Sequence, residues 1–243
     1  MKTLIFNWKM NPSSSEEAEA IFKAVEDSLQ EIFEGVKVVV APPFLYLDKL
    51  RGLKSKTELG AQDSFFKKEG AHTGEISPYM LKSSGVEYVI IGHSEKRALG
   101  ENDEIIGKKV KEAVVAGLKV ILCVGEKEEM EKEEAKEFIL GQVRKGVSEL
   151  NKEEIGEIMI AYEPVWAIGT GKNASADYAG EIAKVIKDLG EEQGVKWSVL
   201  YGGSVKGDNA EEYLKNENLD GALVGGASLR KEEVSKIIEA ANG

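Results

Sequence analysis

The sequence predicts an α/β protein in which eight short parallel strands, each followed by helix, close into a barrel. Three observations carry that expectation. Short apolar runs alternate with helical patterns along the whole chain, and no break in composition marks a second domain. Runs such as Val38-Val39-Val40 and Val89-Ile90-Ile91 are unbroken, as parallel strands buried on both faces require. Polar residues and glycines recur where these runs end, at Asn7, Lys9, His93, Glu163, Gly203 and Gly225. An open doubly wound sheet is the competing architecture. It gathers its functional residues at one switch point, whereas a barrel collects them from the C-terminal ends of many strands.

The expected strands are 4–8, 37–41, 57–61, 88–92, 118–124, 156–162, 197–201 and 219–224. After the first, Ala18, Ile21, Val25, Leu29 and Ile32 recur at helical spacing behind a Ser14…Glu17 capping box. After the fourth, Ile106, Val110, Ala113 and Ala116 do the same. The connection from Gln62 to Ser77 has neither period. It mixes Phe65 and Phe66 with Gly70, His72, Thr73 and Gly74, and a loop of that length in a compact domain is functional or an interaction element.

The apolar run Ile155 to Tyr162 leads into Glu163, then Pro164-Val165-Trp166 and Gly169-Thr170-Gly171. Proline fixes φ on one side and the glycines free the tip. That is the layout of a hinged lid beside a carboxylate, with Trp166 as a body that swings between packed positions. An ordinary strand-to-helix loop is the plainer reading. A nucleotide P-loop fails, because Trp166 and Ala167 stand where an earlier glycine is needed and Asn173 where Ser or Thr must follow the lysine.

Composition bounds the rest. The 243 residues are close to the roughly 250 of a (β/α)8 barrel and suffice for one core. At 42% apolar and 31% charged the chain reads as soluble and globular, and no apolar run approaches a membrane span. Leu4-Ile5-Phe6 begins almost at the N-terminus, so neither signal nor transit peptide is expected. A single cysteine, Cys123, allows no internal disulfide and fits a reducing cytoplasm. A net charge of −11 argues against nucleic acid as a partner. The acidic stretch from Glu126 to Glu137 reads as a solvated helix face. An anionic ligand would then need local holds: a lysine, glycine N–H groups, helix N-termini. No metal is expected, since two histidines 21 residues apart and one cysteine offer no ligand spacing.

Five segments, each after an expected strand, resemble the triosephosphate isomerase family: Asn7-Trp8-Lys9-Met10, residues 92–97, 161–174 and 201–205, and Val224-Gly225-Gly226-Ala227-Ser228-Leu229. The resemblance covers essentially the whole chain. It implies a single-domain TIM barrel over 1–243 that isomerises D-glyceraldehyde 3-phosphate and dihydroxyacetone phosphate through an enediol(ate), in glycolysis and gluconeogenesis, without metal or organic cofactor. Such chemistry needs a base for a carbon-bound proton, an electrophile for the developing oxyanion and a grip on phosphate. The family pattern makes Glu163 the base, His93 the neutral electrophile and Lys9, beside Asn7, the electrostatic stabiliser. Gly169, Ser204, Gly225 and Gly226 would hold phosphate through N–H groups. Ser94 would orient Glu163, and Glu95 would tether Lys9. It also implies a cytoplasmic homodimer in which loop 62–77 brings Thr73 to the neighbour's Asn7 and Lys9, and Glu75 to its Lys96 or Arg97.

Taken singly, these residues have plainer readings: a lone core histidine, an exposed lysine, glycines in turns. Asn7 and Lys9 alternate with Trp8, which puts them on one side of a continuing strand. The chain departs from the family in three places. Lys96 replaces the first arginine of Ser-Glu-Arg-Arg, the segment from His93 to Gly100 is about one residue short, and Asn173 stands in place of threonine. A phosphosugar epimerase or aldolase on the same barrel would need a metal cluster or a Schiff-base lysine on the sixth strand. A barrel kept only as a scaffold would have lost Glu163, His93 or Lys9.

Overall fold

The computed structural model describes residues 1–30, 35–167 and 174–243. Its strands are β1 (Lys2–Asn7), β2 (Val36–Ala41), β3 (Glu58–Ala61), β4 (Tyr88–Ile91), β5 (Lys119–Val124), β6 (Ile158–Tyr162), β7 (Ser198–Tyr201) and β8 (Gly221–Val224). Each pairs in parallel with the next and β1 closes on β8, giving the expected barrel. The helices among the described residues are α1 (Ser15–Gln30), α2 (Leu47–Arg51), α3 (Pro78–Ser83), α4 (Ser94–Ala98) and α5 (Asp103–Val115), then α6 (Lys132–Val147), α7 (Lys152–Ile155), α8 (Ala176–Glu192), α9 (Ala210–Leu214) and α10 (Lys231–Asn242).

Two-residue alternation divides the core into two layers. Ile5, Val39, Ile90, Ile121 and Leu200 fill the barrel. Leu4, Phe6, Val38 and Val40 point the other way, onto Phe22, Val25, Val110, Ile182 and Ile237 of the surrounding helices. Each such side chain contributes about 1.5–3 kcal/mol by leaving water. The seam between first and last strands is tight: a Cβ on Gly221 would stand 1.8 Å from the Thr3 carbonyl oxygen.

Ser14 Oγ accepts the Glu17 N–H at 3.2 Å ahead of α1, which buries Ala18, Val25 and Leu29 and half-buries Ile21. Ile32 lies outside the described residues. In α5, Asn102 caps the N-terminus by accepting the Ile105 N–H at 2.9 Å.

Several expected strands begin too early. The run from Ile155 is the clearest case, because Ile155 ends the one-turn helix α7, held by a capping box between Asn151 and Glu154. An apolar residue closing a helical turn is indistinguishable by pattern from the start of a buried strand. Trp8 and Gly92, in turn, lie just past strand ends. Residues 62–77 contain neither helix nor strand. The neck of this loop is closed by the Phe65 N–H donating to the Ile76 carbonyl at 2.8 Å.

Candidate active site

At the C-terminal end of β1, Asn7 is buried. The alternation expected to carry Lys9 does not apply, because the chain leaves the strand after Asn7. Lys9 has φ of 53°, a left-handed conformation that costs a non-glycine residue about 1–2 kcal/mol. Its N–H donates to Asn7 Oδ1 at 3.0 Å, a local turn that offsets part of the strain. Asn7 and Lys9 still line the same cavity, through a turn instead of a pleat. Lys9 Nζ donates to Glu95 Oε1 at 2.7 Å. A Cβ on Gly225 would lie 3.1 Å from Lys9 Cε, so glycine there leaves room for the lysine stem.

His93 caps α4. Its Nδ1 accepts the Glu95 N–H at 3.2 Å, so that nitrogen carries no proton and the ring presents Nε2–H as donor. Nε2 lies 3.1 Å from Glu163 Oε1, while the Ser94 N–H donates to Glu163 Oε2 at 2.8 Å. Glu163 is only 2% exposed. Burial pushes its pKa up; His93, the Ser94 hydrogen bonds and Lys9 pull it back without reversing the direction. Two glycines wall it in. A Cβ on Gly125 would fall 1.7 Å from the Glu163 carbonyl oxygen, and one on Gly202 would fall 2.8 Å from its Cγ.

Ser204, Gly225 and Gly226 border the same cavity as Asn7, Lys9, His93 and Glu163, about 260 Å³ in volume. Among the described residues, the N–H groups of these three donate to no protein acceptor. What Gly226 opens is a short 3₁₀ turn, Gly226–Leu229, and α10 starts only after it. Lys206 and Arg230 also line this cavity, two cations absent from the sequence-based set; nothing in their local pattern separates them from surface charges. Gly169 and Asn173 lie outside the described residues.

The acidic stretch is not wholly a solvated face. Glu126 is fully buried and accepts the Tyr162 hydroxyl at 2.9 Å and the Trp166 indole N–H at 2.7 Å. It lies two residues past the end of β5, beside the end of β6, and not on α6. The neighbouring indole and phenol were the available signal, since both need an acceptor when buried. Burial, with Glu126 second, raises the Tyr162 pKa well above its ordinary value.

A second cavity, of about 420 Å³, adjoins the first; Asn7, Lys9 and His93 line both, and Met10, Phe44, Glu75, Lys96 and Leu99 form its outer wall. Thr73 is exposed and does not line either cavity. Lys96 pairs with Asp63 at 3.0 Å and Glu101 at 3.4 Å, a cluster shared with buried Lys109. Arg97 faces its own chain, donating to the Gly92 carbonyl at 2.8 Å, Asp103 at 2.6 Å and the Cys123 carbonyl at 3.1 Å. Both residues expected to meet Glu75 are thus engaged within their own chain, Lys96 by two carboxylates and Arg97 by Asp103 and two carbonyls.

Among the described residues, no three His, Cys, Asp or Glu side chains gather as a metal site, and no helix is long and apolar enough to cross a membrane.

The sequence model of the family "Triosephosphate isomerase" matches residues 2–241. Among curated relatives, the triosephosphate isomerase of Dictyoglomus turgidum is 45% identical over 246 residues, covering 98% of each chain. That of Carboxydothermus hydrogenoformans is 46% identical over 244 residues, covering 96% of each. That of Lactobacillus helveticus is 42% identical over 241 residues, covering 96% of this chain and 95% of its own.

Proposed function

The chain belongs to the triosephosphate isomerase family, and on that premise we propose that Glu163, His93, Lys9 and Asn7 carry its interconversion of D-glyceraldehyde 3-phosphate and dihydroxyacetone phosphate. Glu163 removes the proton from the substrate carbon and returns it to the neighbouring carbon. Its burial disfavours the bare anion, which makes it a stronger base than a solvated carboxylate. His93 donates from Nε2 to the carbonyl oxygen and stabilises the enediolate as charge develops, exchanging its contact with Glu163 for one with substrate. Lys9 supplies positive charge to the phosphate and the enediolate, held over the mouth by Glu95 and beside Asn7. The N–H groups of Ser204, Gly225 and Gly226 receive the phosphate, with that of Gly169 added by resemblance. The reaction uses no cofactor and belongs to glycolysis; run in reverse, it serves gluconeogenesis.

The observation that carries this reading is the buried Glu163 carboxylate, 3.1 Å from an imidazole whose proton is fixed on the facing nitrogen. We further read the chain as a cytoplasmic homodimer joined through loop 62–77, with Thr73 of one copy against Asn7 and Lys9 of the other. The exposed Met10 and Leu99 on the outer cavity support that reading, being 94% and 83% exposed in the single chain. A coupled assay on glyceraldehyde 3-phosphate, run with a metal chelator, tests the chemistry. Glu163→Gln is expected to lower kcat by about 10²–10⁴ or more, as loss of a general base does, with KM within about tenfold. Turnover within tenfold of the parent would remove Glu163 from the role of base.

A further inference from the structure

In a chain of net charge −11, one cavity at the barrel end opposite the candidate active site is lined by three lysines and one glutamate. This cavity, of about 160 Å³, opens where the strands begin, walled by Lys37, Lys119, Lys196, Ser198 and Glu157, with Tyr88 and Met159 beneath. Lys37 lies two residues before Val39 on β2, and Lys119 two before Ile121 on β5; both valine and isoleucine fill the barrel interior. Strand alternation therefore puts both lysines at inward-facing positions, where a barrel ordinarily carries packed apolar side chains. Lys119 Nζ stands 5.4 Å from the centre of the Tyr88 ring.

Among the described residues, none of the three ammonium groups forms an ion pair, although lysines elsewhere on the chain pair freely. The nearby carboxylates are committed. Glu58 binds Lys54 at 3.2 Å, and Asp220 binds Lys187 at 2.9 Å and the Val199 N–H at 2.8 Å. Glu157 alone contributes negative charge to the cavity wall, against three lysines. With three lysines and one glutamate on its wall the cavity carries net positive charge, which an anion seated there would offset.

We propose that this mouth binds a small, multiply charged oxyanion of the pyrophosphate class, at a site independent of the catalytic cavity. The ligand bridges the starts of β2, β5 and β7, with ammonium groups on three sides and the Ser198 hydroxyl as a further donor. Because it ties together strands around the barrel, it favours the folded chain by mass action.

Calorimetric titration with inorganic pyrophosphate tests this, using the full chain already saturated with glycerol 3-phosphate so that the catalytic cavity is blocked. One further equivalent per chain is expected to bind. Affinity should drop at least about tenfold in Lys37→Gln and in Lys119→Gln, the loss expected for one charge-assisted contact, and stay unchanged in Lys23→Gln, an exposed lysine on α1 outside both cavities. Activity retained by the two distal variants, together with an unaltered circular dichroism spectrum, shows that they fold. If Lys119→Gln does not fold, Lys196→Gln replaces it, since Lys196 precedes β7 and lies outside the strand pairing. No binding beyond the blocked cavity overturns the proposal, as does affinity that neither distal variant reduces.

Discussion

The Trp166 indole N–H donates to Oε1 of buried Glu126 at 2.7 Å, three residues beyond the candidate base. The same oxygen accepts the Tyr162 hydroxyl at 2.9 Å, and the Glu126 carbonyl accepts the Val165 N–H at 3.1 Å. One residue after β5 thus holds both flanks of Glu163. Glu126→Gln keeps an acceptor oxygen for both donors and should unfold in urea close to the parent. Glu126→Leu leaves the phenol and the indole without an acceptor, at about 1–3 kcal/mol for each orphaned group, and should also lower kcat by loosening the segment after Glu163. Equal urea midpoints for Glu126→Leu and parent would mean that this contact does not hold the segment.

The upward shift of the Glu163 pKa has two consequences of opposite sense. For catalysis the base must be ionised, so kcat/KM should rise with pH through an apparent pKa above the ordinary glutamate value of about 4.3. For stability, a raised carboxylate pKa means that the folded chain binds its proton more tightly than the unfolded chain does. That contribution is full below about 4.3 and is lost as pH rises through the folded-state pKa. The stability difference between parent and Glu163→Gln should therefore move toward the parent as the solution is acidified across that window. Paired urea titrations and a pH–rate profile measure both; an acidic limb at or below about 4.3 would contradict the shift.

Gly202 offers a finer test of how closely the carboxylate must be placed. A Cβ there would lie 2.8 Å from Glu163 Cγ and 3.2 Å from the Tyr162 carbonyl oxygen. Since the former can yield by rotating, Gly202→Ala should fold and shift the carboxylate by a fraction of an ångström. Misplacing a reacting group by about 1 Å costs up to about 10²-fold in rate, so kcat should fall by about tenfold or more with KM little changed. A Gly202→Ala enzyme with parental kcat would show that the base tolerates displacement.

The barrel was legible because its signals are local and repeated: apolar runs, helical periods and polar strand ends that agree along the chain. Asn7 ends β1, and Lys9, His93 and Glu163 lie just past β1, β4 and β6, so the same pattern of polar strand ends marked all four as candidates. What pattern could not supply was the cause of the Lys9 geometry, which depends on a left-handed turn and an Asn7 hydrogen bond. Glu126 was misread because charge density describes a stretch, whereas burial belongs to one residue and its neighbours across the fold. Lys206 and Arg230 join the cavity through turns after β7 and β8, contacts that sequence spacing does not encode.

Loop 62–77 carries the last prediction. The Phe65 ring packs at a tilt against Phe66 and His72, 4.2 Å and 4.6 Å between ring centres, while His72, Thr73, Gly74 and Glu75 stand exposed at the tip. Its root is fixed by Asp63, which pairs with buried Lys109 at 2.8 Å and with Lys96 at 3.0 Å. A rooted loop with an exposed tip, beside a cavity with Met10 and Leu99 on its wall, fits the proposed dimer, in which the tip of one copy would enter the cavity of the other. Deleting residues 72–74 leaves the Phe65–Ile76 neck and the charged root in place, so the chain should still fold. It should sediment as a monomer and lose most of its kcat, although Glu163, His93, Lys9 and Asn7 all remain. Lysine lacks the bidentate fork of arginine, and Lys96 is already shared between Asp63 and Glu101. Lys96→Arg, whose fork can serve those carboxylates and also reach Glu75 of the other copy, should therefore strengthen the proposed contact and move the dilution midpoint for both mass and activity to lower concentration. Sedimentation and activity measured on one dilution series decide the matter. A parent chain that is monomeric and fully active at micromolar concentration would sink the dimer reading.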